Sequence, residues 1–168
     1  METIERSIEV EAPVEKVYNQ WTHFEEFPRF MGGVEEVQLL DDRHLHWIAN
    51  IGGKRKEWDA EIVELIPDDR IAWRSISGAP NSGVVQFRST DQERTVLTVR
   101  MSYQPRGWVE NLGSSLGMFS RKIEADLRGF KNFIQRRLTQ TISSRGRVPT
   151  QDMDESREND DNGHVVDR

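Results

Sequence analysis

His44-Leu45-His46-Trp47-Ile48-Ala49-Asn50-Ile51-Gly52-Gly53-Lys54-Arg55-Lys56-Glu57-Trp58-Asp59-Ala60-Glu61-Ile62 is the stretch that decides the fold. Leu45, Trp47, Ala49 and Ile51 occupy every second position; a Gly-Gly pair follows, and Trp58, Ala60 and Ile62 resume the alternation. Side chains along a strand point alternately to opposite faces, so the pattern is that of a hairpin with one apolar and one polar side. The same period runs through candidate strands Val34 to Leu40, His44 to Ile51, Lys56 to Ile66, Ile71 to Ile76, Gly83 to Ser89 and Thr95 to Tyr103. Turn-forming residues separate them: Asp41-Asp42, Gly52-Gly53, Pro67-Asp68-Asp69, Gly78 to Gly83 and Asp91-Gln92-Glu93. Six strands joined by such turns make an antiparallel meander.

Working outward, Ile4 to Val10 reads as a seventh strand, with Ile4, Ile8 and Val10 on one face and Arg6 among them. Ala12-Pro13 then opens a helix whose apolar stripe is Val14, Val17, Tyr18 and Trp21, because proline is accepted in a first helical turn. Phe24 to Met31 continues as a second helical piece, interrupted by Pro28 and stopped by Gly32-Gly33. Beyond the meander, the spacing of Val109, Leu112, Leu116, Phe119, Ile123, Leu127, Phe130 and Ile134 predicts a long helix from Trp108 to Leu138. Its stripe needs a partner surface, and the apolar face of the meander supplies one. The expected class is α+β: a seven-stranded curved antiparallel sheet around a long C-terminal helix, with two short helices after strand 1.

The chain of 168 residues fits one domain with some excess. Residues 1–140 are expected to form that domain. Residues 141–168, with seven acidic side chains and almost no large apolar ones, are expected to be a disordered acidic tail. The absence of cysteine excludes thiolate catalysis, redox sensing and Cys-based zinc sites. The N-terminus lacks the basic start and apolar run of a secretion signal, which makes the cytoplasm the expected location. A net charge of -6 argues against general affinity for nucleic acid, yet leaves room for transient contact with a membrane surface.

Several motifs have a chemical reading and a plainer one. Gly113-Ser114-Ser115-Leu116-Gly117 spells a G-x-S-x-G nucleophile pattern, but that serine belongs on a strand-to-helix turn and here falls in or at the start of a helix. The plainer reading is that Gly113 and Gly117 let the helix approach the sheet or loosen its first turns, as a gate. His44 and His46 share one strand face without the further ligands a metal needs, and alternation against Leu45 and Trp47 puts them outside. No metal site and no cofactor is implied, and no inward histidine or carboxylate pair forms a catalytic constellation.

Ala12-Pro13-Val14-Glu15-Lys16-Val17-Tyr18, then Trp21 with Phe24-Glu25-Glu26-Phe27-Pro28-Arg29-Phe30-Met31, then Arg70 to Ser75, Ser82 to Phe87 and Asp126-Leu127-Arg128-Gly129-Phe130-Lys131 together resemble the START-like superfamily. The similarity is to its polyketide cyclase/dehydrase branch, which includes the coenzyme Q-binding proteins. It implies a helix-grip fold with a cavity for a lipid, quinone or polyketide-like molecule, and it favours Trp73 over Arg74 as the inward residue. The expected cavity residues are Arg6, Trp47, Trp58, Trp73, Phe87, Leu97, Val99, Met101, Tyr103, Leu116, Phe119 and Ile123. Tyr103 is the expected hydroxyl facing a ligand, and Arg6 and Asn50 are further polar candidates. The expected function is binding or carriage of an apolar small molecule. The rivals are a cyclase or dehydratase using Tyr103 and Arg6, and an interaction protein using a basic helix face of Arg121, Lys122, Arg128, Lys131, Arg136 and Arg137.

Overall fold

The structure, a computed structural model, describes residues 1–104 and 115–146, the side chains of 115–116 and 142–146 excepted. All seven strands expected from the alternation form: β1 (Glu2–Val10), β2 (Val34–Leu39), β3 (His44–Ile51), β4 (Lys54–Ile66), β5 (Arg70–Gly78), β6 (Asn81–Asp91) and β7 (Arg94–Tyr103). They make one antiparallel sheet in the order β1-β7-β6-β5-β4-β3-β2. The first strand thus closes against the last, Ile8 opposite Leu97.

Register shifts at Val34/Glu36, Asp59/Ala60, Ile62/Glu64 and Ser89/Asp91 put extra residues into β2, β4 and β6 or their partners. Such bulges bend a strand and increase its twist, which is how a sheet of this width curls instead of lying flat. Two of the four fall in the thirteen-residue β4, near the middle of the sheet.

The turn expected over Gly78 to Gly83 is shorter than its composition suggests. β5 runs to Gly78 and β6 starts at Asn81, leaving Ala79-Pro80 between them. Asn81 pairs across to Tyr103, and Gly83 pairs with both Trp73 and Met101, so residues of turn type are held in the ladder by their neighbours.

Pro13 precedes α1 (Val14–Trp21), which buries Val17, Tyr18, Gln20 and Trp21; a 3-10 helix follows at Phe24–Arg29 with Pro28 inside it. The long helix α2 is described from Ser115 to Gly146. It therefore continues past Leu138, where the sequence pattern placed its end, and takes in residues 141–146, which were expected to belong to the disordered tail. The expected start at Trp108 and the expected disorder of residues 147–168 lie outside the described residues. Phe119, Leu127, Phe130 and Ile134 form its buried stripe, as their spacing requires.

Gly129 permits close seating of α2, because a Cβ there would collide with the carbonyl oxygen of Phe30. Gly117 has no such role: nothing lies within 4 Å of where its Cβ would be, so the expected helix-to-sheet approach at that glycine is not seen. Gly113 lies outside the described residues.

Polar side chains fix α2 along its length. Gln135 accepts the Glu11 backbone N–H at 3.0 Å. Arg137 donates to Glu26 at 3.0 Å and to Gln20 at 3.0 Å. Nearer its start, Arg6 donates to Glu124 at 2.9 Å and to Ser120. The apolar interior between sheet and helix divides into two packed clusters. The larger joins α1, the 3-10 helix and the later part of α2; the smaller holds Ile4, Ala49, Ile51, Trp58, Ala60, Ala79, Tyr103 and Phe119. Trp47, Trp73 and Ile123 touch both.

Candidate functional site

Where the two clusters meet, the interior is not filled. A cavity of about 150 Å³ lies between the sheet and α2, bounded by residues of both clusters. Its sheet wall comes from inward positions of consecutive strands: Leu45, Trp47, Ala49 and Ile51 on β3, Trp58, Ala60 and Ile62 on β4, Ile71 and Trp73 on β5, and Val99 and Met101 on β7. Trp21, Phe24, Phe27 and Met31 close one end, and Phe119, Ile123 and Leu127 of α2 form the opposite wall.

The aromatic residues are held in fixed contact. Trp47 and Trp58 face each other across the β3–β4 pair with their rings stacked, centroids 5.5 Å apart and planes 8° from parallel. Phe27 tilts against Trp47 at 5.6 Å. Trp73 lies over Gly83, where a Cβ would come within 2.5 Å of the indole, and its Nε1–H donates to Asn81 Oδ1 at 2.9 Å. Asn81 is itself buried and secured: its Nδ2 donates to the Ala79 carbonyl at 3.0 Å, and its backbone N–H donates to Ser75 at 3.0 Å.

Two charged side chains complete the lining. Lys122 and Asp126, one turn apart on α2, form an ion pair of 2.8 Å with only 24% and 16% of their side chains exposed. Burial pushes the Asp126 carboxyl above its ordinary range, although the Lys122 ammonium and a hydrogen bond from the Gly32 N–H oppose the shift. The same pair borders a second, outer hollow of about 360 Å³ whose edge includes Gly32, Asn50, Gly52, Met118 and Ala125. Ile51 and Phe119 also border both spaces, so these four residues stand at the junction of inner chamber and outer vestibule.

Seven of the residues expected at a cavity line it: Trp47, Trp58, Trp73, Val99, Met101, Phe119 and Ile123. Four others face inward but are consumed by packing or pairing. Leu97 is fully buried within the larger cluster, and Phe87 lies edge-on to Tyr18 at 5.4 Å. Tyr103 is fully buried against the Phe119 ring at 4.4 Å, so it does not front the cavity. Arg6 shares the inward face of β1, but at the sheet margin Glu124 and Ser120 draw its guanidinium to α2. The side chain of Leu116 lies outside the described residues.

Arg74 points out to Glu61 at 2.8 Å while Trp73 points in. Asn50 stands exposed at the vestibule rather than in the chamber. His44 and His46 are on the outer face, paired with Asp41 at 2.8 Å and Asp59 at 2.6 Å; the His46 bond holds the Asp59 carboxyl below its usual range. Among the described residues no group of three or more His, Asp or Glu is arranged to hold a metal. Ser115 is the first described residue of α2, and the residues before it in the G-x-S-x-G pattern are outside the description. No described helix is long and apolar enough to cross a membrane.

The sequence reading missed Lys122, Asp126 and the contribution of Trp21, Phe24, Phe27 and Met31. A signal for the pair was present: Lys122 and Asp126 each lie three positions after an apolar residue of the stripe, Phe119 and Ile123, and four positions from each other, which puts the charges beside the apolar stripe. The basic face proposed for α2 is correspondingly reduced, since Lys122 turns to the cavity and Arg137 to Glu26.

Residues 10–131 match the family model described as polyketide cyclase / dehydrase and lipid transport. The chain belongs to that family. Membership carries the binding of apolar small molecules in general, and the START-like fold goes with it. An uncharacterized 17.2 kDa protein of Streptomyces lincolnensis is 44% identical over 149 residues, 88% of this chain and 99% of its own. A START superfamily protein of Mycobacterium smegmatis superposes with a TM-score of 0.71 at 12% identity, covering 80% of this chain and 97% of that one. The Zhui aromatase/cyclase of Streptomyces sp. R1128 gives 0.70 at 20% identity, with 82% and 95% covered; at such identities these two show shared fold alone. The lining in this chain is aromatic and aliphatic apart from Asn81, Lys122 and Asp126.

Proposed function

We propose that this protein binds and carries an apolar small molecule whose ring-sized portion enters the chamber between the sheet and α2. The observation that carries this reading is an unfilled space of about 150 Å³ walled by Trp47, Trp58, Trp73, Phe27, Met101 and Ile123. Protein interiors are close-packed, and an engineered cavity of about 150 Å³ with apolar walls in another protein stays dry and admits benzene. By that measure the chamber takes one aromatic ring, such as a quinone or phenolic head, and the remainder of a larger molecule occupies the vestibule of about 360 Å³. Carriage is favoured over ring closure because Arg6 and Tyr103, the residues a cyclase reading needs, are engaged with Glu124 and Phe119 and do not line the space.

Native mass spectrometry of protein purified from its own host, followed by solvent extraction, tests the reading. A co-purifying apolar molecule with a ring or chain is the expected result. Protein that carries nothing and takes up no apolar probe would overturn it.

A further inference from the structure

The chamber has little to offer a polar atom. Both groups of the Asn81 amide are engaged, one with Trp73 and one with Ala79, and apart from the indole N–H groups of Trp21, Trp47 and Trp58 the walls outside α2 are aliphatic, aromatic and thioether. On α2 the Lys122–Asp126 pair lines both chamber and vestibule, so a molecule occupying both spaces would lie against it. A lysine near a surface ordinarily extends its ammonium into water. Lys122 instead lies back over Gly33, where even a Cβ would come within 2.7 Å of its Cε and 3.0 Å of its Nζ. The loop thus has a glycine where the lysine needs room, and Asp126, receiving the Gly32 N–H, anchors the ammonium at 2.8 Å. Partly buried ion pairs often contribute little to stability compared with apolar residues of similar volume, so stability alone does not explain this one. An ammonium has three donors and Asp126 takes one, which leaves capacity for an oxygen on a bound molecule.

Building on the carrier reading above, we propose that Lys122 determines ligand specificity: it donates a hydrogen bond to the oxygen of a ring-sized apolar molecule, a phenol, quinone or aryl ketone, at the inner end of the vestibule. Asp126 is a positioning residue that holds the ammonium toward that oxygen. The ligand class is an oxygenated aromatic and not a plain hydrocarbon or an acyl chain.

The test is the pair toluene and phenol, which differ by methyl against hydroxyl at nearly equal size, titrated into the full-length protein by ligand-observed NMR. A hydroxyl entering an apolar site without a partner is penalised by about 1–3 kcal/mol, so a purely apolar cavity prefers toluene by about fivefold or more. With Lys122 as donor, phenol binds at least as tightly as toluene. K122M keeps the apolar stem and is expected to weaken phenol about tenfold while leaving toluene unchanged, K122R to restore phenol, and D126N to weaken phenol alone. A wild-type protein that takes toluene and discriminates against phenol overturns the specificity role and leaves the carrier reading standing, as does a phenol affinity that K122M does not alter. Failure of both probes to bind overturns both. The comparison of the two probes on wild-type protein needs no variant, so poor folding of K122M does not shield the proposal.

Discussion

Gly83 and Trp73 act as one unit, the glycine vacating the volume that the indole fills. A Cβ at position 83 would lie 2.5 Å from Trp73 Cη2 and 2.6 Å from the Arg100 carbonyl oxygen, so neither side can yield cheaply. G83A is expected to destabilise by about 1–3 kcal/mol in urea unfolding, as overpacking does, and to shift tryptophan emission as the Trp73–Asn81 bond is disturbed. Unchanged stability and emission would contradict this account of Trp73. Asp126 makes the opposite case. Its carboxyl is raised by burial, so the folded state favours the protonated form: the linked stability is present at low pH and is lost as pH rises through the raised value. D126N is therefore expected to melt no lower than wild type at pH 7, with any gain shrinking as pH falls through the raised value and gone by about pH 4; a marked drop in Tm at pH 7 would contradict it. Strand alternation alone made the inward course of Trp47, Trp58, Val99 and Met101 legible. It could not tell a residue facing space from one facing another side chain, which is why Tyr103, Phe87 and Leu97 were expected at the cavity and are found in packing. Lys122 was counted with the basic face of the helix because its charge outweighed its position beside the stripe.

Elements are joined here by a few polar clamps laid over apolar contact. Gln20, Glu26 and Arg137 tie α1, the 3-10 helix and the later turns of α2, with Arg137 also stacked 4.6 Å above the Phe133 ring. Burial works against ionisation of Glu26, but hydrogen bonds from Gln20 and Arg137 and the charges of Arg137 and Arg29 outweigh it and hold the carboxyl below its ordinary range. A depressed carboxyl contributes stability above its unfolded value, about 4.3, and that contribution is lost as pH falls through the folded value. E26Q is expected to melt lower than wild type at pH 7 and to converge with it at pH 3, measured by thermal melts across that range; parallel curves would contradict the clamp. No sequence period announces such a triad, since Gln20 and Arg137 are 117 positions apart. Element boundaries were less legible than their existence for the same reason. Gly78, Asn81 and Gly83 have turn-forming composition, and only pairing with β4, β5 and β7 draws them into strands.

Across the whole molecule, the order of strand, short helices, meander and long helix was written in two periodicities, one of two and one of 3.6, and the fold follows from burying both apolar faces against each other. The size of the space between them was not written there. It depends on how far the bulges at Asp59/Ala60 and Ile62/Glu64 curl β4 and on how closely Gly129 lets α2 approach, both of which are properties of the assembled chain. Because, among the described residues, Trp47, Trp73 and Ile123 pack against both clusters of the core, a ligand in the chamber would bridge the clusters and stabilise the fold by mass action. The most direct measurement is the methyl spectrum of methionine-labelled protein during addition of toluene. Met31 and Met101 line the chamber, whereas Met1 is 78% exposed at the other limit. Saturable shifts of the Met31 and Met101 methyls, with Met1 unmoved, are the result predicted here. Toluene that leaves Met31 and Met101 where they were, or moves all three alike, would contradict an accessible apolar chamber.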